Sequence, residues 1–238
     1  MKQAVPFGER LSLVSSSPIF QALDSSILSE IARRAVCRTH PPGEFLYRKG
    51  EEADSVLLVI NGLVRLSLAS PEGREFSVRL ATRGDSLGET ALANAISRDT
   101  DCLALTHSRV LKIRRNMLSK ADIGAISSDL NRLLGQRLSS LLAIVEEIAL
   151  HNLEGRLARL FCRLDQQQYL SLHQLHQGLL ANMANASRPK VNQQLKKLHN
   201  LGAIKLASGQ VISINRALLT KLFTIKGEKV SRHNETGR

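Results

Sequence analysis

After Pro41-Pro42-Gly43 the chain alternates short apolar runs with turns at Gly43, Gly50, Gly62, Gly73, Gly84 and Gly88. The runs fall at 44–47, 55–60, 63–68 and 76–80, with two more at 101–106 and 108–113. Regular short runs of this kind predict a small β-barrel or jelly roll. Asn61-Gly62 predicts a hairpin between two of them, because a type I′ turn needs positive φ at both central residues. Ahead of this block, Phe20, Leu23, Ile27, Ile31 and Ala32 make one apolar face, which predicts helix over about 17–40.

From about 127 to 150 the pattern changes to a helical period, with no proline and only Gly135 as a breaker. Leu134, Leu138, Leu141, Val145 and Ile148 are spaced 4, 3, 4 and 3 apart, a heptad seam that predicts dimerisation. Leu133 and Leu142 lie off the seam and are expected to pack on the helix's own domain. Glu146-Glu147 reads as a diverging, solvated pair. A second helix over 153–164 has Leu157, Leu160, Phe161 and Leu164 as its core face.

Two short helices follow, LLANMANA at 179–186 and SRPKVNQQLKKL at 187–198. Val191, Leu195 and Leu198 form the buried stripe of the second. Asn185 sits where the turn needs positive φ, Ser187 can cap the helix, and Pro189 falls in its first turn. Arg188, Asn192 and Lys196 share another face, flanked by Lys190, Gln193 and Lys197. A basic, amide-rich helix of this design can enter the DNA major groove. Runs at 203–206 and 211–214 around Ser208-Gly209 add a hairpin, completing a winged helix; about 226–238 reads as a basic flexible tail.

Charge sharpens this picture. The net charge is +12 over 238 residues. From residue 151 onward there are 14 Lys+Arg against 4 Asp+Glu, a net +10 that favours phosphate binding by counterion release. No run of about 18 uncharged apolar residues predicts a membrane span, and MKQAVPFGER has no signal-peptide core. Cys37, Cys102 and Cys162 have no metal-ligand or disulfide spacing and read as small hydrophobes in a reducing compartment, so a cytoplasmic location is expected. No nucleophile elbow, phosphate loop or metal spacing points to an enzyme.

The segments PPGEFLYRKGEEADSVLLVINGLVRLS at 41–67, RGDSLGE at 83–89 and NASRPKVNQQLKKLHNLGAI at 185–204, in that order, resemble the bacterial catabolite-activator and fumarate-nitrate-regulator (Crp/Fnr) family of transcription factors. The resemblance covers about residues 17–222. It implies an α+β chain: a cyclic-nucleotide-binding-like β-roll over 1–120, a dimerisation helix over 121–150, and a winged helix-turn-helix over 151–225. It also implies a homodimer reading a palindromic operator in double-stranded DNA, with RNA polymerase as a further partner and no membrane. By resemblance, Arg188, Pro189 and Gln193 face bases. Arg suits guanine N7 and O6, and Gln suits adenine N6 and N7. Ser187, Lys190, Asn192, Lys196 and Lys197 complete the DNA-binding set.

In nucleotide-binding relatives a Gly-Glu pair and a later Arg-Ser or Arg-Thr hold the cyclic phosphate. Gly88, Glu89 and, with a loop one residue shorter, Arg98 match, but Asp99 stands where the hydroxyl belongs. A carboxylate about 4 Å from the phosphate would repel it by about 4 kcal/mol at an effective dielectric of 20. The long-helix positions that would offer hydroxyls to the purine fall at Leu141 and Leu142. Cyclic-AMP control is therefore not expected. An iron–sulfur switch lacks its four thiolates, and His40 or His107 alone does not make a haem site. A 2-oxoacid, another apolar or anionic metabolite, or no effector at all remain open. The alternatives are a cyclic-nucleotide-responsive activator or a regulatory module that controls an enzyme.

Overall fold

The computed structural model describes residues 5–166 and 175–222. The chain divides into two compact units between Leu141 and Leu142, and each is treated by itself. The predicted tail over 226–238 lies outside the described residues.

In the first unit two four-stranded antiparallel sheets form the β-roll. One sheet runs β1 (Val36–His40), β8 (Ser108–Arg114), β3 (Ser55–Asn61), β6 (Ser86–Leu87). The other runs β2 (Phe45–Tyr47), β7 (Asp101–Ala104), β4 (Val64–Ala69), β5 (Glu75–Ala81). Strand β3 is apolar almost throughout because both of its faces are covered. Val56, Leu58 and Ile60 join a core outside the roll, whereas Leu57 and Val59 face Tyr47, Val64, Leu87, Cys102 and Val110 within it. The outer core is closed by α1 (Phe7–Ser16), α2 (Ser25–Arg34) and the first turns of α3 (Lys120–Leu150), through Leu13, Val14, Ile31, Ile126 and Leu130.

Two expectations are corrected here. The predicted helix over 17–40 is a pair of turns, then α2, then β1: Ala35 is extended and stops the helix, and Val36–His40 pairs with β8. Its apolar face was real, since Phe20, Leu23, Ile31 and Ala32 are buried, but Phe20 and Leu23 reach the core from turns bonded to Ser17 and Phe20 oxygens. Asn61-Gly62 is not a hairpin turn, because β3 and β4 belong to different sheets and Asn61 lacks the positive φ that type I′ requires. Gly62, at φ 99°, lets the chain pass against Ser108, where a Cβ would lie 2.3 Å from the hydroxyl oxygen. Helix α3 begins at Lys120, within one residue of the 121–150 span that the resemblance implies and ahead of the helical period read from about 127. Ser119 and Asp122 close a reciprocal cap there, at 2.8 and 3.1 Å. Its 31 residues span about 46 Å at 1.5 Å rise per residue.

The heptad seam also divides differently. Leu134 packs on the roll's outer core beside buried Leu133, and Ile148 is half-buried. Leu138, Leu141 and Val145 are exposed, and so is Leu142, which was expected to pack inward.

In the second unit α4 (Leu153–Gln166) buries Leu157, Leu160, Phe161 and Leu164. Helices α5 (Gln177–Met183) and α6 (Arg188–Asn200) follow, then the hairpin β9 (Ile204–Ala207) and β10 (Gln210–Ile214). Asn185, Ser208 and Gly209 have the positive φ their turns require. Glu147 is not solvated: it is buried and ion-paired with Arg163 of α4.

Candidate functional site

Two constellations carry chemistry. The first is the solvent face of α6. Val191, Leu195 and Leu198 are buried at helical spacing, which turns Ser187, Arg188, Lys190, Gln193 and Lys196 outward and leaves them exposed. Ser187 occupies the N-cap position with an extended backbone, although its side chain makes no cap hydrogen bond. Pro189 stands in the first turn, where its missing N–H costs nothing. Two predicted DNA residues are placed differently. Lys197 is exposed, but its ammonium is 3.2 Å from a carboxylate oxygen of buried Glu154, tying α6 to α4. Asn192 is half-buried, and its Oδ1 has no hydrogen-bond partner among the described residues.

The second constellation lies in the roll, where the structure brings Gly88, Glu89 and Arg98 together. Gly88 is left-handed, at φ 69°, immediately before a short 3₁₀ turn, Glu89–Ala93. A Cβ on it would meet the Arg98 guanidinium at 2.1 Å, so glycine is required by both backbone and space. Arg98 is almost fully buried; its two terminal nitrogens bond within the protein, whereas its Nε has no hydrogen-bond partner among the described residues. Nη1 donates to the Ser55 carbonyl at 2.8 Å and to the Gly88 carbonyl at 3.4 Å, and Nη2 donates to Ser55 Oγ at 3.0 Å. Its guanidinium also stacks 4.4 Å from the Tyr47 ring centroid and lies 3.6 Å from Asp54.

Asp54 also faces Lys112 and Arg114. Partial burial would raise its carboxyl, but the bonds from Ser55 and Lys112 and the charges of Lys112 and Arg98 outweigh it and hold it below the usual range. Beneath, burial pushes the Tyr47 phenol up, aided by Cys102 beside it. A cavity of about 200 Å³ opens here, with Tyr47, Asp54, Ser55, Arg98 and Lys112 in its wall. That is below the roughly 300–1,000 Å³ of ordinary small-molecule pockets.

Glu89 is likewise buried and occupied. Its Oε1 accepts from Ser86 Oγ at 2.8 Å and from Arg137 of α3 at 3.1 Å, and Arg79 of β5 approaches to 4.0 Å. Asp99 is exposed, and Leu141 and Leu142 lie exposed on α3 beyond Arg137. Sequence reasoning missed Arg79, Arg137, Asp54 and Ser55. Arg79 did leave a trace, as a lone cation inside the apolar run 76–80. Arg137 left none, because a cation on a long helix reads as solvated.

The three thiols are unpaired. Burial raises all three, Cys102 to about 12, which keeps them protonated at neutral pH. His40 Nδ1 lies 2.9 Å from Glu44 and His107 is exposed. Among the described residues no helix is long and apolar enough to cross a membrane.

Comparison with known proteins matches this geometry. The profile of the cyclic nucleotide-binding domain matches residues 37–121, and that of the Crp-like helix-turn-helix domain matches residues 155–222. The chain is 26% identical over 209 residues to a CRP-like cAMP-activated global transcriptional regulator of Mycobacterium tuberculosis, covering 84% of this chain and 93% of that one. An anaerobic regulatory protein of Bacillus subtilis is 25% identical over 215 residues, covering 86% and 87%. The structure of FixK2 from Bradyrhizobium japonicum shares the fold, with a TM-score of 0.71 at 20% identity over 79% of this chain and 96% of the other. With a cyclic-nucleotide-binding β domain, a long helix and a Crp-like helix-turn-helix in succession, the chain belongs to the Crp/Fnr family of DNA-binding transcription regulators.

Proposed function

We propose that the protein is a homodimeric regulator that reads a palindromic operator through α6 and whose roll does not take a cyclic nucleotide at the family's phosphate site. The observation that carries this reading is the occupancy of that site by the protein itself. Arg98 is bonded to Ser55 and Gly88, and Glu89 to Ser86 and Arg137. A nucleotide would have to displace a buried guanidinium from its hydrogen bonds while Asp99 added like charge nearby; unmade bonds to a charged group cost about 1.5–3 kcal/mol each. Functional segments are assigned as the roll over 1–120, the dimerisation helix over 121–150 and the reading unit over 151–225. The exposed stripe Leu138, Leu141, Leu142 and Val145 supports the dimer. RNA polymerase contact and a cytoplasmic site of action follow from the same role.

The α6 face supports sequence reading by Arg188 and Gln193, with Lys190 and Lys196 on phosphates; Lys197 is assigned to fastening α6 on α4. Gel shifts on the protein's own promoter region, at several salt concentrations and with and without cyclic AMP, test the whole reading. Binding is expected to be salt-dependent and unchanged by the nucleotide. Arg188→Ala is expected to cost about 1–3 kcal/mol at one base pair, whereas Lys190→Ala weakens all sequences alike. Tighter DNA binding with cyclic AMP would instead favour a nucleotide-responsive activator, the reading that the retained Gly88, Glu89 and Arg98 support.

A further inference from the structure

Helix α5 is capped by an imidazole. Its N-cap residue is His176, with an extended backbone at φ −67° and ψ 156°, and His176 Nδ1 accepts the Leu179 amide at 3.1 Å. Leu179 is the third helical residue, a position whose amide an N-cap side chain serves. A backbone N–H only donates, so Nδ1 carries no proton and the ring is the neutral Nε2–H tautomer. At seven residues α5 is too short to hold itself by helical bonds alone, which makes its cap matter. Gly178, unfavourable inside a helix, leaves room for the ring: a Cβ there would lie 3.2 Å from Nδ1 and 3.4 Å from Cε1. Leu175 just before the cap and Leu180 in the helix are both buried, at the two positions of a hydrophobic staple. Beside the cap, Gln177 Nε2 donates to the Gly209 carbonyl at 3.0 Å, so the same turn holds the tip of the β9–β10 hairpin. The other side of α5 packs on α6.

His176 is exposed, so water can protonate it, and protonation removes the acceptor without supplying a new partner. The charged groups on the elements packed against α5 are Arg188, Lys190, Lys196, Lys197 and His199 of α6 and Lys205 of β9, none of them a carboxylate. The Glu154 carboxylate of α4 is paired with Lys197. Among the described residues the histidines paired with carboxylates are His40 and His151. An imidazolium at a helix N-terminus also opposes the helix dipole. Histidine side chains change charge between about pH 5 and 8. We infer that His176 is a positioning residue for DNA binding: its neutral imidazole fixes the start of α5, and with it α6 and the hairpin tip, so that operator affinity falls as pH drops through the histidine range. The inference rests on the reading of α6 as the helix that meets the operator.

The test is fluorescence anisotropy of the full-length protein on its own promoter fragment between about pH 5.5 and about pH 8, at constant ionic strength, with wild type, His176→Asn and His176→Ala. Wild-type affinity is expected to fall at least about threefold from the alkaline to the acid end, within the roughly 2- to 30-fold that loss of an N-cap acceptor represents. His176→Asn offers an acceptor at every pH, so it is expected to match wild type at the alkaline end and not to weaken on acidification. His176→Ala is expected to bind at about the acid wild-type level throughout. The chain's other histidines gain positive charge in acid and tighten phosphate binding, so the expected wild-type fall runs against the general electrostatic trend. Wild-type affinity that is level or tightens toward acid pH, or an equal acid fall in His176→Asn, overturns the inference. Histidine-selective nitrogen NMR and amide exchange of the DNA-free protein form a separate arm. His176 Nδ1 is expected to be an unprotonated acceptor at about pH 8, and Leu179 amide protection to fall as that nitrogen is protonated. Should wild type not bind the fragment at any pH, the reading of α6 fails and this arm alone decides the cap. A protonated Nδ1 at the alkaline end, or Leu179 protection that does not follow its titration, overturns it.

Discussion

Leu138→Ala tests the proposed homodimer. Leu138, Leu141, Leu142 and Val145 are exposed by 59%, 42%, 59% and 60%. Covering what remains exposed amounts to burying about two whole side chains per protomer, or about 6–12 kcal/mol for a pair at about 1.5–3 kcal/mol each. That gain is comparable to the roughly 4–15 kcal/mol that association costs in lost freedom, so the stripe decides whether the dimer forms. Truncating Leu138 removes its contribution twice by symmetry, about 1–2 kcal/mol per protomer. The dimer Kd should therefore rise about 30- to 1,000-fold. Sedimentation equilibrium over nanomolar to micromolar protein reads this directly. Circular dichroism should be unchanged at concentrations where both forms associate, because Leu138 contributes little to the protomer's own core. A wild-type protein that stays monomeric at 100 micromolar (about the upper end of such assays), or a variant Kd within about threefold of wild type, would refute the reasoning.

Further outcomes follow from the roll. Gly88→Ala places a Cβ at φ 69° and 2.1 Å from Arg98 Nη1, and should cost about 1–3 kcal/mol in urea unfolding while displacing Arg98. Cys102, raised to about 12 from an ordinary 9.0, should resist thiol reagents at pH 8 in the folded protein, while half-buried Cys37 and Cys162 react first. Its neutral folded form also sets a sign. The unfolded chain releases the proton above about pH 9 and the folded one does not, so this thiol's share of stability is complete below pH 9 and is lost as pH climbs toward 12. The alkaline fall in Tm should accordingly be shallower in Cys102→Ala than in wild type.

The order of elements was legible because each period has one structural solution. Short apolar runs between glycines became the strands of the roll, the helical period from about 127 became most of α3 and that over 153–164 became α4, and Asn185 marked the turn before α6. The exposed and buried faces of α6 were also readable, since Val191, Leu195 and Leu198 leave no other helical face for the core. Local patterns stop at pairing partners. Asn61-Gly62 has hairpin composition, yet β3 pairs with β8 because the roll buries both faces of β3 and sends β4 to the opposite sheet. The same limit hid the sensor chemistry. Gly88, Glu89 and Arg98 can be found by spacing, but their state depends on Ser55, Arg79 and Arg137, which arrive from two strands and a helix 43, 10 and 48 residues distant from Arg98, Glu89 and Glu89. Sequence by itself determined the order of β-roll, long helix and helix-turn-helix, the exposed face of α6 and the excess of positive charge. Only the tertiary structure decided which guanidinium answers which carboxylate, because a charge takes its partner from the groups that folding buries beside it, at whatever distance they stand along the chain.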